Sequence, residues 1–127
     1  MDISEIDFSA LVRAKEALQA AVEIQRPSEL ERDGGIQRFE FTFELAWKTM
    51  RKVLIALGRA NVSGSPKPIL RDAFSEGLID SIDLWFGFLD ARNRSAHIYN
   101  ETTAQEVWQR AKGFPAEVDK LIVACKR

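Results

Sequence analysis

The sustained helical period between Ile36 and Leu57 constrains the fold more than any other feature of the sequence. Ile36, Phe39, Phe43, Ala46, Trp47, Met50, Val53, Leu54 and Leu57 recur at three- and four-residue steps for about six turns of roughly 3.6 residues each. Gly58 stops the pattern. Gly34 and Gly35 stand near its start, where Asp33 is placed to cap the first turn. Phe41 and Leu45 lie four apart on a different face, so this helix carries a second apolar strip that can meet a partner.

Shorter patterns of the same kind flank it. Phe8, Leu11, Val12, Leu18, Ala21 and Val22 predict an amphipathic helix from Asp7 to about Gln25, broken at Pro27 and Ser28. Residues 59–68, RANVSGSPKP, read as a flexible connection and resemble no phosphate-binding glycine loop. A short helix is predicted from Pro68 to Glu76, with Gly77 as its stop. Asp80 or Ser81 caps a fourth helix, whose inward stripe is Ile82, Trp85, Phe86 and Leu89 and whose second strip is Leu84 with Phe88. The last helix opens at Thr103, with Glu106 at capping-box spacing, and continues to Cys125. Pro115 predicts a kink or restart between Lys112 and Pro115, because an interior proline removes a backbone bond and clashes with the preceding turn. No segment alternates like a strand for long. The expected architecture is an all-α, four-helix up-down bundle with an additional short helix, in one domain spanning residues 1–127.

Charge and cysteine usage narrow the function classes. Lysine and arginine number 18 against 19 aspartates and glutamates, so no uniformly basic surface is available to hold nucleic acid, and any such site must be local. With one cysteine, Cys125, an intramolecular disulfide is excluded, and one histidine with one cysteine does not make a typical zinc site. Asp2, Glu5 and Asp7 stand where a signal peptide would carry positive charge, and no apolar run approaches the roughly 18 residues of a membrane span. The expectation is a cytoplasmic protein with no membrane segment, no metal and no cofactor.

Chemistry concentrates between Asp90 and Glu101. Arg92, Asn93, Arg94, the sole histidine His97, Tyr99 and Asn100 crowd into this stretch. Arg92 lies three residues beyond Leu89, on a face that is apolar up to that point, where a desolvated guanidinium needs a carboxylate, a phosphate or carbonyls. His97 follows five positions later, about 140° around a regular helix, so the two side chains would not converge. For both to face one ligand, the helix must end or bulge between them, or two subunits must share the site. Arginine, an amide and a histidine suffice to cut RNA without metal. Imidazole moves protons near neutral pH, and a guanidinium holds two phosphate oxygens while Asn93 orients either partner. A capped helix end with a satisfied histidine and ordinary salt bridges accounts for the same residues. Glu40 and Glu44, one turn apart on the long helix, can pair with Arg92 or Arg94, or equally with Arg38 and Lys48. Trp47, Trp85 and Trp108 are assigned to packing, and Cys125 to the core.

The order Arg92-Asn93-x-x-x-His97 resembles the arginine, polar residue and histidine signature of HEPN domains, and its extension to Tyr99 is similar to the Arg-x4-His-x-Tyr form of one branch. The block from Gly35 to Lys48 and the segment from Pro68 to Phe74 resemble the branch named nucleotidyltransferase substrate-binding proteins. The resemblance implies a helical-bundle homodimer encoded beside a minimal nucleotidyltransferase, the pair acting as toxin and antitoxin. By the same resemblance, Arg92 and His97 are the catalytic pair of a metal-independent endoribonuclease and Asn93 is the polar residue of the motif. Arg92, Arg94 and His97 would bind nucleotide or RNA, and Tyr99 would be the hydroxyl that the partner modifies with AMP. The branch name carries another implication, a non-enzymatic subunit that presents nucleotide or another substrate to the transferase; the near-neutral charge leans that way.

Overall fold

The computed structural model describes every residue except Met1, Ile98, Tyr99 and Arg127. A short 3-10 turn (Ile3–Glu5) precedes six helices: α1 (Ser9–Val22), α2 (Glu29–Ala56), α3 (Pro66–Ser75), α4 (Ile82–Ser95), α5 (Glu101–Ala111) and α6 (Phe114–Cys125). No strand occurs among the described residues. The all-α bundle with an added short helix is therefore the observed fold. The long helix is its axis, since α2 packs against each of the other five.

Helix α2 starts earlier than the glycines suggest. Ser28 caps it through a reciprocal box: the Glu31 amide donates to Ser28 Oγ at 3.1 Å and the Ser28 amide donates to Glu31 Oε1 at 2.8 Å. Asp33, expected as the cap, instead accepts from Arg32 inside the helix. Gly34 and Gly35 are thus interior helical residues, and Gly35 has a packing reason: its missing Cβ leaves room for the Trp108 indole of α5. The far end closes as a Schellman motif. Gly58 takes φ +89°, its amide bonds the Ile55 carbonyl, and the Arg59 amide bonds that of Leu54.

The connection to α3 is held by specific bonds. Arg51 Nε donates to the Ser63 carbonyl at 2.9 Å, and Arg59 pairs with Asp72 and Glu76. Helix α3 begins at Pro66, a proline suited to a first turn, two residues before the expected start. Ser81 caps α4 by accepting from the Leu84 amide. Asn100 caps α5 by accepting from the Thr103 amide at 2.8 Å. Thr103 is therefore the third residue of α5 and not its cap, so the proposed box with Glu106 does not form. The predicted restart is present: α5 ends at Ala111, and α6 begins at Phe114 with Pro115 in its first turn.

That restart places Phe114 at the centre of the core. Its ring meets Phe39 and Phe43 from α2 and Trp85 and Phe88 from α4, at centroid separations of 4.7 to 5.9 Å. Phe88 is consequently a core residue and not part of a second strip with Leu84; the buried stripe of α4 is Trp85, Phe88 and Ala91. Phe41 remains exposed at 62%, and Leu84 at 38%. All three tryptophans and Cys125 are buried, as their positions in the helical pattern suggested.

Candidate functional site at the end of helix α4

Helix α4 ends at Ser95, between Arg92 and His97. Ala96 and His97 form a turn in which the His97 amide donates to the Arg94 carbonyl at 3.0 Å. Arg92 and His97 therefore do not share one continuous helix, and the 140° offset (about five steps of 100°) of a regular helix does not apply to them. Asn93 and His97 are exposed, while Arg92 is half-buried. Tyr99 lies outside the described residues.

Arg92 is held against α2. Its Nε donates to Glu44 Oε1 at 3.2 Å, and Glu44 Oε2 accepts from the Trp47 indole nitrogen at 3.2 Å. The side chains of Arg92 and Glu44 keep 30% and 34% of their exposure, enough for a ligand to reach the guanidinium. One turn further along, Ser95 Oγ lies 2.7 Å from both Glu40 Oε2 and the Arg92 carbonyl. Glu40, Asp33, Ile36 and Ser95 line a pocket of about 240 Å³ beside this rung. Glu44 thus pairs with Arg92, as one of the two open readings had it. Glu40 instead receives a serine hydroxyl, a partner that residue spacing did not suggest.

Arg94 points to a different neighbour. Its Nη2 donates to Glu106 Oε2 of α5 at 2.7 Å, and this hydrogen bond raises its already high pKa. Arg94 also lines a groove of about 730 Å³ between α4 and α5, opposite Arg110. Arg32 of α2 is only 5% exposed and bonds both Asp33 and Glu101, the first residue of α5. This guanidinium and Gln105 hold the Glu101 carboxyl below its usual range. Residue spacing did not reveal Arg32, because its partner is 69 positions away.

The family described as "Nucleotidyltransferase substrate binding protein like" matches residues 6–127 of the chain. The chain belongs to that family. This member is 34% identical, over 92 residues, to a Haemophilus influenzae protein called "Probable ribonuclease HepT", an alignment that takes in 70% of the chain and 63% of the relative. The chain thus spans less than two thirds of that relative's length. Among solved structures, it resembles a Thermus thermophilus protein with a TM-score of 0.85 and 30% identity, covering 92% of this chain and 99% of that one. It also resembles a Haemophilus influenzae protein whose structure is described as revealing the fold of a substrate binding domain of a nucleotidyltransferase. That likeness has a TM-score of 0.81 and 27% identity, and covers 95% of this chain and 100% of that one. The HEPN resemblance carried by Arg92, Asn93 and His97 therefore names the right family, in its nucleotidyltransferase substrate-binding branch.

Proposed function

We propose that this protein is the toxin of a HEPN and minimal-nucleotidyltransferase pair, a metal-independent endoribonuclease acting in the cytoplasm as a homodimer. The observation that supports it best is the end of α4 between Arg92 and His97, which takes His97 out of the helical register that carries the half-buried Arg92. Arg92 grips the phosphate and offsets charge gathering at phosphorus. His97 carries a proton between the ribose 2′-hydroxyl and the leaving oxygen, and Asn93 orients either group. Two copies meeting through α4 would line one cleft with both motifs, and Leu84 of α4, 38% exposed, offers apolar surface for such a meeting.

The test is cleavage of RNA by purified protein in EDTA. Arg92→Ala and His97→Ala each abolish it while helicity and oligomeric state persist; full activity in either variant overturns the assignment. Regulation by the partner transferase is read from intact mass. Protein made with the transferase gains the mass of AMP and Tyr99→Phe does not, whereas equal gains in both remove Tyr99 from its role.

A second reading, a non-enzymatic subunit that presents nucleotide to the transferase, is favoured by the net charge of -1. Tight mononucleotide binding without RNA turnover selects it.

A further inference from the structure

We propose that Glu44 is the positioning residue of the site: it fixes the Arg92 guanidinium from behind, and the Trp47 indole fixes Glu44 in turn. The inference rests on the reading of Arg92 as the phosphate-gripping arginine.

The way in which Arg92 is held carries the argument. Glu44 takes it by Nε, on the inner edge of the guanidinium, at 3.2 Å. Both terminal nitrogens are left without a hydrogen bond or ion pair to another described residue. Those nitrogens form the fork that matches the oxygens of a phosphate. Neighbouring arginines are used differently. Arg94 has a terminal nitrogen committed to Glu106, and Arg32 is enclosed by Asp33 and Glu101. Of these three, only Arg92 is gripped so that its fork stays open.

The grip is itself anchored. Trp47 is buried, and its N–H takes the second oxygen of Glu44, so the carboxylate cannot rotate away without losing both bonds. Three residues beyond Arg92, Ser95 ties the last turn of α4 to Glu40, which keeps this end of α4 against α2. A long side chain held in one rotamer before its ligand arrives loses less freedom on binding, and it meets the developing charge already aligned. The nearby carboxylate also offsets part of the positive charge in the ground state. Glu44 therefore acts more on the chemical step than on affinity.

Arginine Nε–H signals in a proton–nitrogen correlation spectrum test the grip directly, with the Arg92 signal assigned by its loss in Arg92→Lys. In Glu44→Ala that signal moves to the position of exposed arginines and exchanges with water about 10-fold faster or more. Trp47→Phe, which keeps an aromatic ring and removes the N–H, shifts it part-way. Glu44→Gln, which keeps an acceptor, retains part of the protection. In RNA cleavage, kcat falls roughly 10- to 100-fold in Glu44→Ala with KM within about threefold, and Glu44→Gln recovers part of the loss. An Arg92 signal unchanged in a folded Glu44→Ala protein overturns the proposal, as does wild-type kcat in that variant. If the wild-type protein cleaves no RNA, the cleavage reading fails by itself, and the Arg92 signal still decides whether Glu44 holds the guanidinium. Should Glu44→Ala not fold, Glu44→Gln and Trp47→Phe provide the same readouts with most of the packing volume kept.

Discussion

Gly35 in α2 and Trp108 in α5 approach so closely that a methyl group on Gly35 would stand 2.5 Å from the indole Cη2. Gly34, one residue earlier, has open space where its own Cβ would be. The two glycines should respond to alanine with opposite signs. Gly35→Ala forces the indole or the helix to move and destabilises by about 1–3 kcal/mol. Gly34→Ala gains helix propensity and stabilises by roughly 0.5–1 kcal/mol. Urea unfolding of both variants checks this, and effects of the same sign would show that the close approach is not what governs position 35.

The pair between Arg32 and Glu101 joins the start of α5 to α2. The folded-state pKa of Glu101 is depressed below the ordinary 4.5, first by the hydrogen bond from Arg32 and then by that from Gln105. Its stabilising contribution is complete above that ordinary value and disappears as pH falls through the lower, folded one. Glu101→Gln should therefore unfold at lower urea than wild type at pH 7, with the gap closing as the pH drops below about 4.5. A gap that is constant from pH 7 to pH 3 would assign the effect of this substitution to something other than the ion pair.

Burial pushes the Cys125 thiol up to about 11 from 9.0. At pH 8 the native thiol should react with an aromatic disulfide reagent at least about 100-fold more slowly than in urea, because the thiolate is the nucleophile and access needs unfolding. The raised value also has a sign in stability. An unfolded chain releases the proton near pH 9 while the folded chain keeps it, so this group lowers stability as pH climbs from about 9 towards 11. Cys125→Ala should lose less stability over that interval than wild type.

Arg92 and Arg94 should separate in activity. Arg92→Lys keeps a charge but cannot hold Glu44 and present a fork at once, so RNA cleavage falls about 100-fold or more, close to the alanine variant. Arg94 is committed to Glu106 at the surface, so against the nucleotide-binding role that the resemblance implies for it, Arg94→Ala leaves cleavage within about threefold. Comparable losses at both positions would place Arg94 at the phosphate too.

Local rules carried much of the architecture. The stripe from Ile36 as far as Leu54 and the stops at Gly58 and Gly77 were legible because each depends on neighbours within a turn or so, whereas Leu57, the last residue expected in that stripe, is the exposed C-cap of α2. The same rules misplaced the start of α2. They read Gly34 and Gly35 as punctuation, when the capping box at Ser28 and the Trp108 contact make a glycine useful inside the helix. They also divided the apolar residues of α4 between two strips, since nothing within α4 reveals that Phe114 arrives from α6 to bury Phe88.

The candidate site divides along the same line. Arg92, Asn93 and His97 stand out in the chain by residue type and order, and an end to the helix between the first and the last was one of the arrangements that their spacing left open. Which carboxylate meets Arg92, by which nitrogen it is held, and that Ser95 reaches Glu40 depend on side chains 48 and 55 positions apart. Periodicity ranks faces within one helix, but the pairing of two polar groups across helices follows from how α2 and α4 pack, and that is set by the whole core at once.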